Sequence, residues 1–438
     1  MTMPAPIDPI VARAAERGER VGVLVLVDKP SRQGPVPLSL DANLRTLSER
    51  VQEVRHKAKD LLHDPSARSS RSAAGLQPLS MDGNDIERGG VLLENLGAVM
   101  AEIDPADLSK ISEVGGVRKV IPMPHFLPLI VPMQYRVAAP ADLIDGPAKS
   151  LLRIGIPKFW DADLWGAGTT IGHFDTGINA SHPIFAELRS GKRLRYAAFG
   201  ADGNRISRAR PRDDHPEHHG THTAGTLVGA GVDGFQAGIA PKAKLVSVQI
   251  FPGGVRSQGD QDQIVVNALN WIVGERPHVL NLSFGDSKYN DSYLGIIGEL
   301  IDQNIAVVAA VGNGGVDKSS SPGNYGSVIA VGAVDAKGRV CPFSGSGKVK
   351  KNARPDVCAP GMNILSAGRG EDFAVSTGTS MAAPHVAGVL ALLRERAPDL
   401  TPAQLKDLLK KHARVPSDWD VSRGGAGIVD GRALLAAV

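Results

Sequence analysis

Three short stretches of this 438-residue chain carry side chains that could do chemistry together. They are an Asp-Thr-Gly turn at Asp175 to Gly177, a His-Gly-Thr-His-Thr-Ala-Gly run at His219 to Gly225, and Gly-Thr-Ser-Met-Ala-Ala-Pro-His-Val-Ala-Gly from Gly378 to Gly388. In the third, a helix starting near Thr379 aims its unpaired N–H groups and positive dipole end at the Ser380 hydroxyl, while Ala382, Ala383, Val386 and Leu390 face inward. A serine there could be a plain helix cap. Beside a histidine and an aspartate it becomes one part of a set: nucleophile, base and base-orienting carboxylate.

The elements that must position these groups read as a doubly wound α/β domain. Short aliphatic runs at 169–174, 244–250, 279–283, 306–311 and 328–334 suit a parallel sheet buried on both faces, with crossover helices at 261–273 and 291–303. Functional residues gather beyond the carboxyl ends of such strands, where Asp175, Ser283 and Asn313 fall. Gly166 and Gly168 precede the first strand, whereas a dinucleotide fingerprint has its glycines after it.

Ahead of this domain, residues 1–121 read as a small α+β unit. It has a strand at 21–28, an amphipathic helix over 44–61, a polar loop at 64–75, a strand-rich segment at 91–103, a short helix opened by Asp104 and Pro105, and a last strand at 117–121. Residues 122–150, rich in Pro and Ala, read as a connector exposed to cleavage. A final helix is expected over 400–413.

Composition narrows the function. A net charge of +3 with 4% aromatic residues offers no nucleic-acid surface. Cys341 and Cys358 give neither a disulfide framework nor metal spacing, though a bridge between them stays open. Residues 1–20 lack the apolar core of a secretory signal and nothing is long enough to span a membrane, so a cytoplasmic protein is expected unless a leader precedes this sequence.

The order Asp, His, Ser, with Asn-Leu-Ser-Phe-Gly at 281, Ala-Val-Gly-Asn-Gly at 310 and Arg-Pro-Asp-Val-Cys-Ala-Pro-Gly at 354, resembles the subtilisin-like serine proteases from about Leu151 onward. The resemblance implies a serine endopeptidase acting on polypeptide substrates through an acyl-enzyme. Ser380 would be the nucleophile, His219 the base, Asp175 its orienting carboxylate, and Asn313 the oxyanion donor together with the Ser380 N–H. Ser283, Phe284 and Gly285 would form one side of a strand-binding cleft, the loop 253–260 the other, and Ala310 and Gly312 the pocket before the scissile bond. His218, His222 and His385 are expected to be structural.

The resemblance also makes residues 1–121 a ferredoxin-like prodomain, an intramolecular inhibitor released by self-cleavage within 122–150. No cofactor is required for the chemistry. Relatives bind calcium after the histidine helix, but the matching stretch here offers only Asp233 and Gln236, so no metal ligands are assigned. The polar stretch 205–217 reads as a charged surface insert. Two rival readings remain: a catalytically silent relative that binds peptides, and a nucleotide-dependent α/β enzyme.

Overall fold

The computed structural model describes residues 4–27, 90–93, 95–124, 134–143, 145–251, 258–286 and 289–438. The expected helix at 44–61 and loop at 64–75 lie outside these residues, as does most of the expected cleft loop at 253–260.

The centre of the molecule is a seven-stranded, wholly parallel sheet. Its order is Val357–Pro360, Ile329–Val334, Ala306–Ala310, Val279–Leu282, Thr170–Asp175, Lys244–Gln249 and Leu194–Ala198. The first of these in the chain, Thr170–Asp175, lies inside the sheet, so later strands are laid down on both sides of it. The five expected strands are present. The outermost two, Val357–Pro360 and Leu194–Ala198, were not foreseen; Leu-Arg-Tyr-Ala-Ala is too short and mixed to read as a buried strand.

Alternate residues of each strand serve different layers. Ile171, Leu245, Val279 and Val308 pack beneath the helices His219–Val228 and Thr379–Arg396. Phe174, Val246, Leu280 and Val307 point the other way, toward Gln258–Gly274 and Leu294–Asp302. This period of two is the pleat of a strand covered on both sides.

The N-terminal unit is a four-stranded antiparallel sheet, ordered Gly90–Leu93, Ala98–Ile103, Val21–Val27 and Val117–Pro122. Val23, Val25 and Val27 face its own helices, where Val11, Leu108 and Ile111 complete a small core. Leu24 and Leu26 face the opposite way and join the large sheet's second core, with Leu93, Leu96 and Ile121. Burial of each such side chain contributes about 1.5–3 kcal/mol. The helix Pro9–Glu16 was not foreseen, although Asp8 caps it by accepting the Ile10 N–H at 2.9 Å and Pro9 opens it, the same signal read at Asp104 and Pro105.

Two polar ties hold this unit against the large domain. Asn270 Oδ1 accepts the backbone N–H groups of Asn95 and Leu96 at 3.0 and 3.1 Å, and Arg118 pairs with the buried carboxylate of Glu299. Ile121 presses on Gly295, where an added Cβ would lie 2.8 Å from its Cδ1.

The second half of the connector is not a free linker. Gln134–Val137 pairs antiparallel with Phe373–Thr377, Gly146–Pro147 pairs with Phe235–Gln236, and Lys149–Arg153 is helical. These residues are built into the large domain by backbone pairing, which a Pro- and Ala-rich composition does not reveal. The helix expected at 400–413 is Pro402–Lys411, closed at its start by a capping box between Thr401 and Gln404. Among the described residues, no helix is long and apolar enough to cross a membrane.

Candidate active site

The glycines of the first two motifs explain how they meet. Gly177 has φ +118 and the Arg212 carbonyl lies 2.0 Å from where its Cβ would stand; Gly220 in turn has the Gly177 carbonyl 2.2 Å from its own absent Cβ. Any side chain at either position would push the Asp175 turn and the His219 helix apart.

That approach puts His219 Nδ1 2.7 Å from Asp175 Oδ1, with both residues fully buried. Asp175 Oδ1 also accepts the Thr176 N–H at 2.8 Å, and Oδ2 accepts the Thr223 hydroxyl at 3.0 Å. Burial by itself would raise the Asp175 pKa, but the charge and hydrogen bond of His219, with His173 close behind, hold it far below the ordinary carboxylate range. His219 is the reciprocal case. Burial by itself would lower it, and the Asp175 charge and hydrogen bond, with Asp213 and Glu217, raise it above 6.5.

The helix carrying His219 starts without a cap of its own, because His218 is left-handed at φ 45 and contributes no side-chain bond. Its orphan N–H groups are met from outside. Thr176 Oγ1 accepts from the Gly220 N–H at 2.8 Å, and Asp213 Oδ2 accepts from the N–H and hydroxyl of Thr221 at 2.8 and 2.7 Å. Asp213 Oδ1 further accepts the Thr176 hydroxyl at 2.9 Å. The stretch expected to be a charged surface insert therefore contains a buried structural carboxylate, fixed at the positive end of the histidine helix.

Ser380 is the second residue of Thr379–Arg396 and 6% exposed. Its hydroxyl donates to the Ser283 carbonyl at 2.8 Å, while His219 Nε2 is buried without a hydrogen-bond partner. The Ser380 hydroxyl is thus parked on Ser283, and no bond from it to His219 is formed in this rotamer. Such bonds commonly tighten only with substrate bound.

Asn313 Oδ1 accepts both the N–H and the hydroxyl of Thr379 at 2.9 Å. This identifies the amide's oxygen and directs its Nδ2 toward Gly378, whose added Cβ would stand 3.3 Å from it. Left-handed backbone in this loop falls on Gly312 and Gly315, not on Asn313.

The expected cleft residues separate. Ser283 is fully buried, with Oγ donating to the Ser380 carbonyl at 3.0 Å and accepting from Asn281 Nδ2 at 2.8 Å. Phe284 turns into the second core beside Phe174 and Phe251, so this stretch can offer a cleft only its backbone. Gly285 lies against the Ser321 carbonyl, Gly312 against Ser320, and the Ala310 carbonyl against Gly323. The segment 319–323 therefore closes directly on Ala310 and Gly312.

His222 Nε2 donates to the Ile364 carbonyl and His385 Nδ1 to the Met381 carbonyl; burial pushes both pKa values down to about 4. The sequence reading missed His173, Thr223 and Ser247, a buried polar group directly behind Asp175. A histidine two residues before Asp175, in an otherwise apolar strand, was the available signal.

Among the described residues, no group of three or more His, Cys, Asp or Glu side chains could hold a metal ion. The stretch matching the relatives' calcium loop does not fit one. Gln236 Nε2 donates to the carbonyls of Gly229 and Gly238 at 2.7 and 2.8 Å, occupying backbone oxygens a cation would need. Cys341 and Cys358 are free and buried.

Residues 166–430 match the sequence model of the Subtilase family, Peptidase_S8. The chain is 32% identical over 281 residues to M-protease of Shouchella clausii, covering 64% of this chain and 68% of that protein. It is equally similar to Subtilisin Savinase of Lederbergia lenta, covering 96% of it, and to the subtilisin-like protease PopC of Myxococcus xanthus, covering 58% of it. Among solved structures, a protease of Pseudoalteromonas arctica superposes with TM-score 0.55 at 28% identity, covering 65% of this chain and 94% of the other.

Proposed function

The chain belongs to the subtilase family and is a serine endopeptidase. From that premise we propose that Ser380 is its nucleophile, His219 its general base, Asp175 the carboxylate that orients the base, and Asn313 with the Ser380 N–H its oxyanion donors. The 2.7 Å bond between two fully buried groups, Asp175 and His219, carries this reading.

In this mechanism the Ser380 hydroxyl leaves the Ser283 carbonyl and gives its proton to His219 Nε2 as the oxygen attacks a peptide carbonyl. Asp175 keeps Nδ1 protonated and balances the imidazolium, without taking the proton. The negative oxygen of the tetrahedral intermediate is met by Asn313 Nδ2, whose amide is held by Thr379. Loss of one such donor costs about 10² to 10³ in turnover. His219 then protonates the departing amine, and water releases the acyl group by the same steps reversed.

We further propose that the protein is made as a self-processing zymogen, with residues 1–121 as an intramolecular inhibitor. Two observations support this. The N-terminal sheet buries Leu24, Leu26 and Ile121 against the catalytic unit. The strand Gln134–Val137 lies antiparallel on Phe373–Thr377, with Gln134 opposite Thr377, so its N-terminal end points at Ser380. Residues 134–137 then stand on the leaving-group side, which puts the cut ahead of Gln134.

The test compares full-length protein with Ser380→Ala using a fluorophosphonate probe, a denaturing gel and intact mass. Wild type is expected to label and split, and the variant to do neither. A folded wild type that stays whole and unlabelled, even after residues 1–121 are removed, would favour a silent peptide-binding relative.

A further inference from the structure

Behind the carboxylate that orients His219 stands a second histidine. His173 is fully buried on the same strand as Asp175, flanked in register by Ser247 and Asn281. Its Nδ1 lies 2.9 Å from Ser247 Oγ and its Nε2 lies 2.9 Å from Thr223 Oγ1 and 3.6 Å from Asp175 Oδ2. Thr223 Oγ1 is 3.0 Å from Asp175 Oδ2 and 3.1 Å from the Gly220 carbonyl.

Counting protons fixes the direction of this chain. Thr223 has one hydroxyl hydrogen, and both Asp175 Oδ2 and the Gly220 carbonyl are pure acceptors. The contact between Thr223 and His173 must therefore take its hydrogen from Nε2. In the neutral ring Nδ1 is then the acceptor, and Ser247 supplies its donor. The run is Ser247 O–H to His173 Nδ1, His173 Nε2–H to Thr223 Oγ1, and Thr223 O–H to Asp175 Oδ2.

The fork at Thr223 gives the run its purpose. Without a donor from His173, the Thr223 hydroxyl is free to turn to the Gly220 carbonyl, one helical turn back on its own helix. With that donor, the hydroxyl is polarised toward the stronger acceptor, the carboxylate. Oδ2 is then held, the carboxylate cannot pivot about its Cβ–Cγ bond, and Oδ1 stays aimed at His219 Nδ1.

We propose that His173 is a positioning residue of this protease, acting through Thr223 to fix the rotation of Asp175, with Ser247 setting its tautomer. The proposal rests on the triad assigned above. It adds to that triad a residue that touches no substrate.

The test uses processed enzyme, a short peptide amide substrate, and kcat per fluorophosphonate-titrated site. His173→Leu is expected to lower kcat about 10- to 100-fold, the range for one hydrogen bond to a charged group, with KM unchanged. Thr223→Val should do the same, and the double variant should be no worse than Thr223→Val alone, because the two side chains act in series. His173→Gln, whose amide can donate to Thr223, should recover most of the loss.

Should His173→Leu not fold, Ser247→Ala carries the test. It is expected to lower kcat in the wild-type background and to have no effect beside His173→Gln, which has no tautomer to set. Wild-type kcat in His173→Leu, additive losses in the double variant, or equal effects of Ser247→Ala in both backgrounds would overturn the proposal. Failure of wild type to label with the probe would instead overturn the triad assignment itself.

Discussion

Phe174 and Asp175 are neighbours in one strand, yet they belong to opposite faces of the sheet and to different kinds of interior. The face under His219–Val228 and Thr379–Arg396 buries His173, Asp175, Ser247, Asn281 and Ser283 among its apolar residues. The face that receives Phe174 is filled by Val246, Val248, Leu280 and Leu282, and it extends into the N-terminal unit through Leu24, Leu26 and Ile121. The first face is organised by hydrogen bonds with defined donors and acceptors. The second is organised by volume. The pleat lets one sheet do both, because each residue along a strand is assigned to one face by parity.

The largest expected effect breaks the polar face alone. Asp175→Asn should lower kcat about 10⁴-fold, since the amide cannot hold His219 in the required tautomer, and it should leave KM and the folded fraction nearly unchanged. Steady-state kinetics beside circular dichroism check this.

One residue away, Phe174→Ala should do the reverse. It is expected to cost about 3–5 kcal/mol of stability in denaturant unfolding while kcat per titrated site stays near wild type. Equal losses of kcat and stability in both variants would remove the distinction between the faces.

A smaller effect is expected where the second face meets the N-terminal unit. Arg118→Ala leaves the Glu299 carboxylate buried without this partner, so the cleaved N-terminal fragment should dissociate at least about tenfold more readily. Size-exclusion of processed protein would show it, with turnover of the freed enzyme unaltered.

The mildest prediction concerns pH. His219 must be neutral to act and its pKa is held above 6.5, so kcat/KM should fall as pH drops through that raised value. Stability runs the opposite way across neutrality. The raised His219 contributes stability present below about 6.5 and lost as pH rises through its folded value. Asp175, held low, contributes stability above 3.8 that is lost only on strong acidification. Coincident activity and stability profiles near neutrality would contradict the charged pairing of these two groups.

Much of the site was legible because its chemistry depends on residue type. Asp175, His219 and Ser380 announce themselves by motif, and the apolar runs at 244–250 and 306–311 announce their strands. The misreadings share one cause. Asp213 looked solvated because its neighbours Arg212 and Asp214 are, yet its bonds reach Thr176 across 37 residues. Gln134–Val137 looked like linker because its pairing partner lies more than 200 residues away.

By itself, the sequence determined which groups are present and the order in which they are strung: three chemical motifs, buried strands, and a serine at a helix mouth. These follow from local spacing and side-chain chemistry, which the chain carries with it. Only the tertiary structure decided the pairings: that Asp213 caps the histidine helix, that Ser380 rests on the Ser283 carbonyl, and that His173 and Thr223 stand behind Asp175. Each joins groups remote in sequence, and a buried hydrogen bond is fixed by where two elements pack, which no local pattern of residues contains.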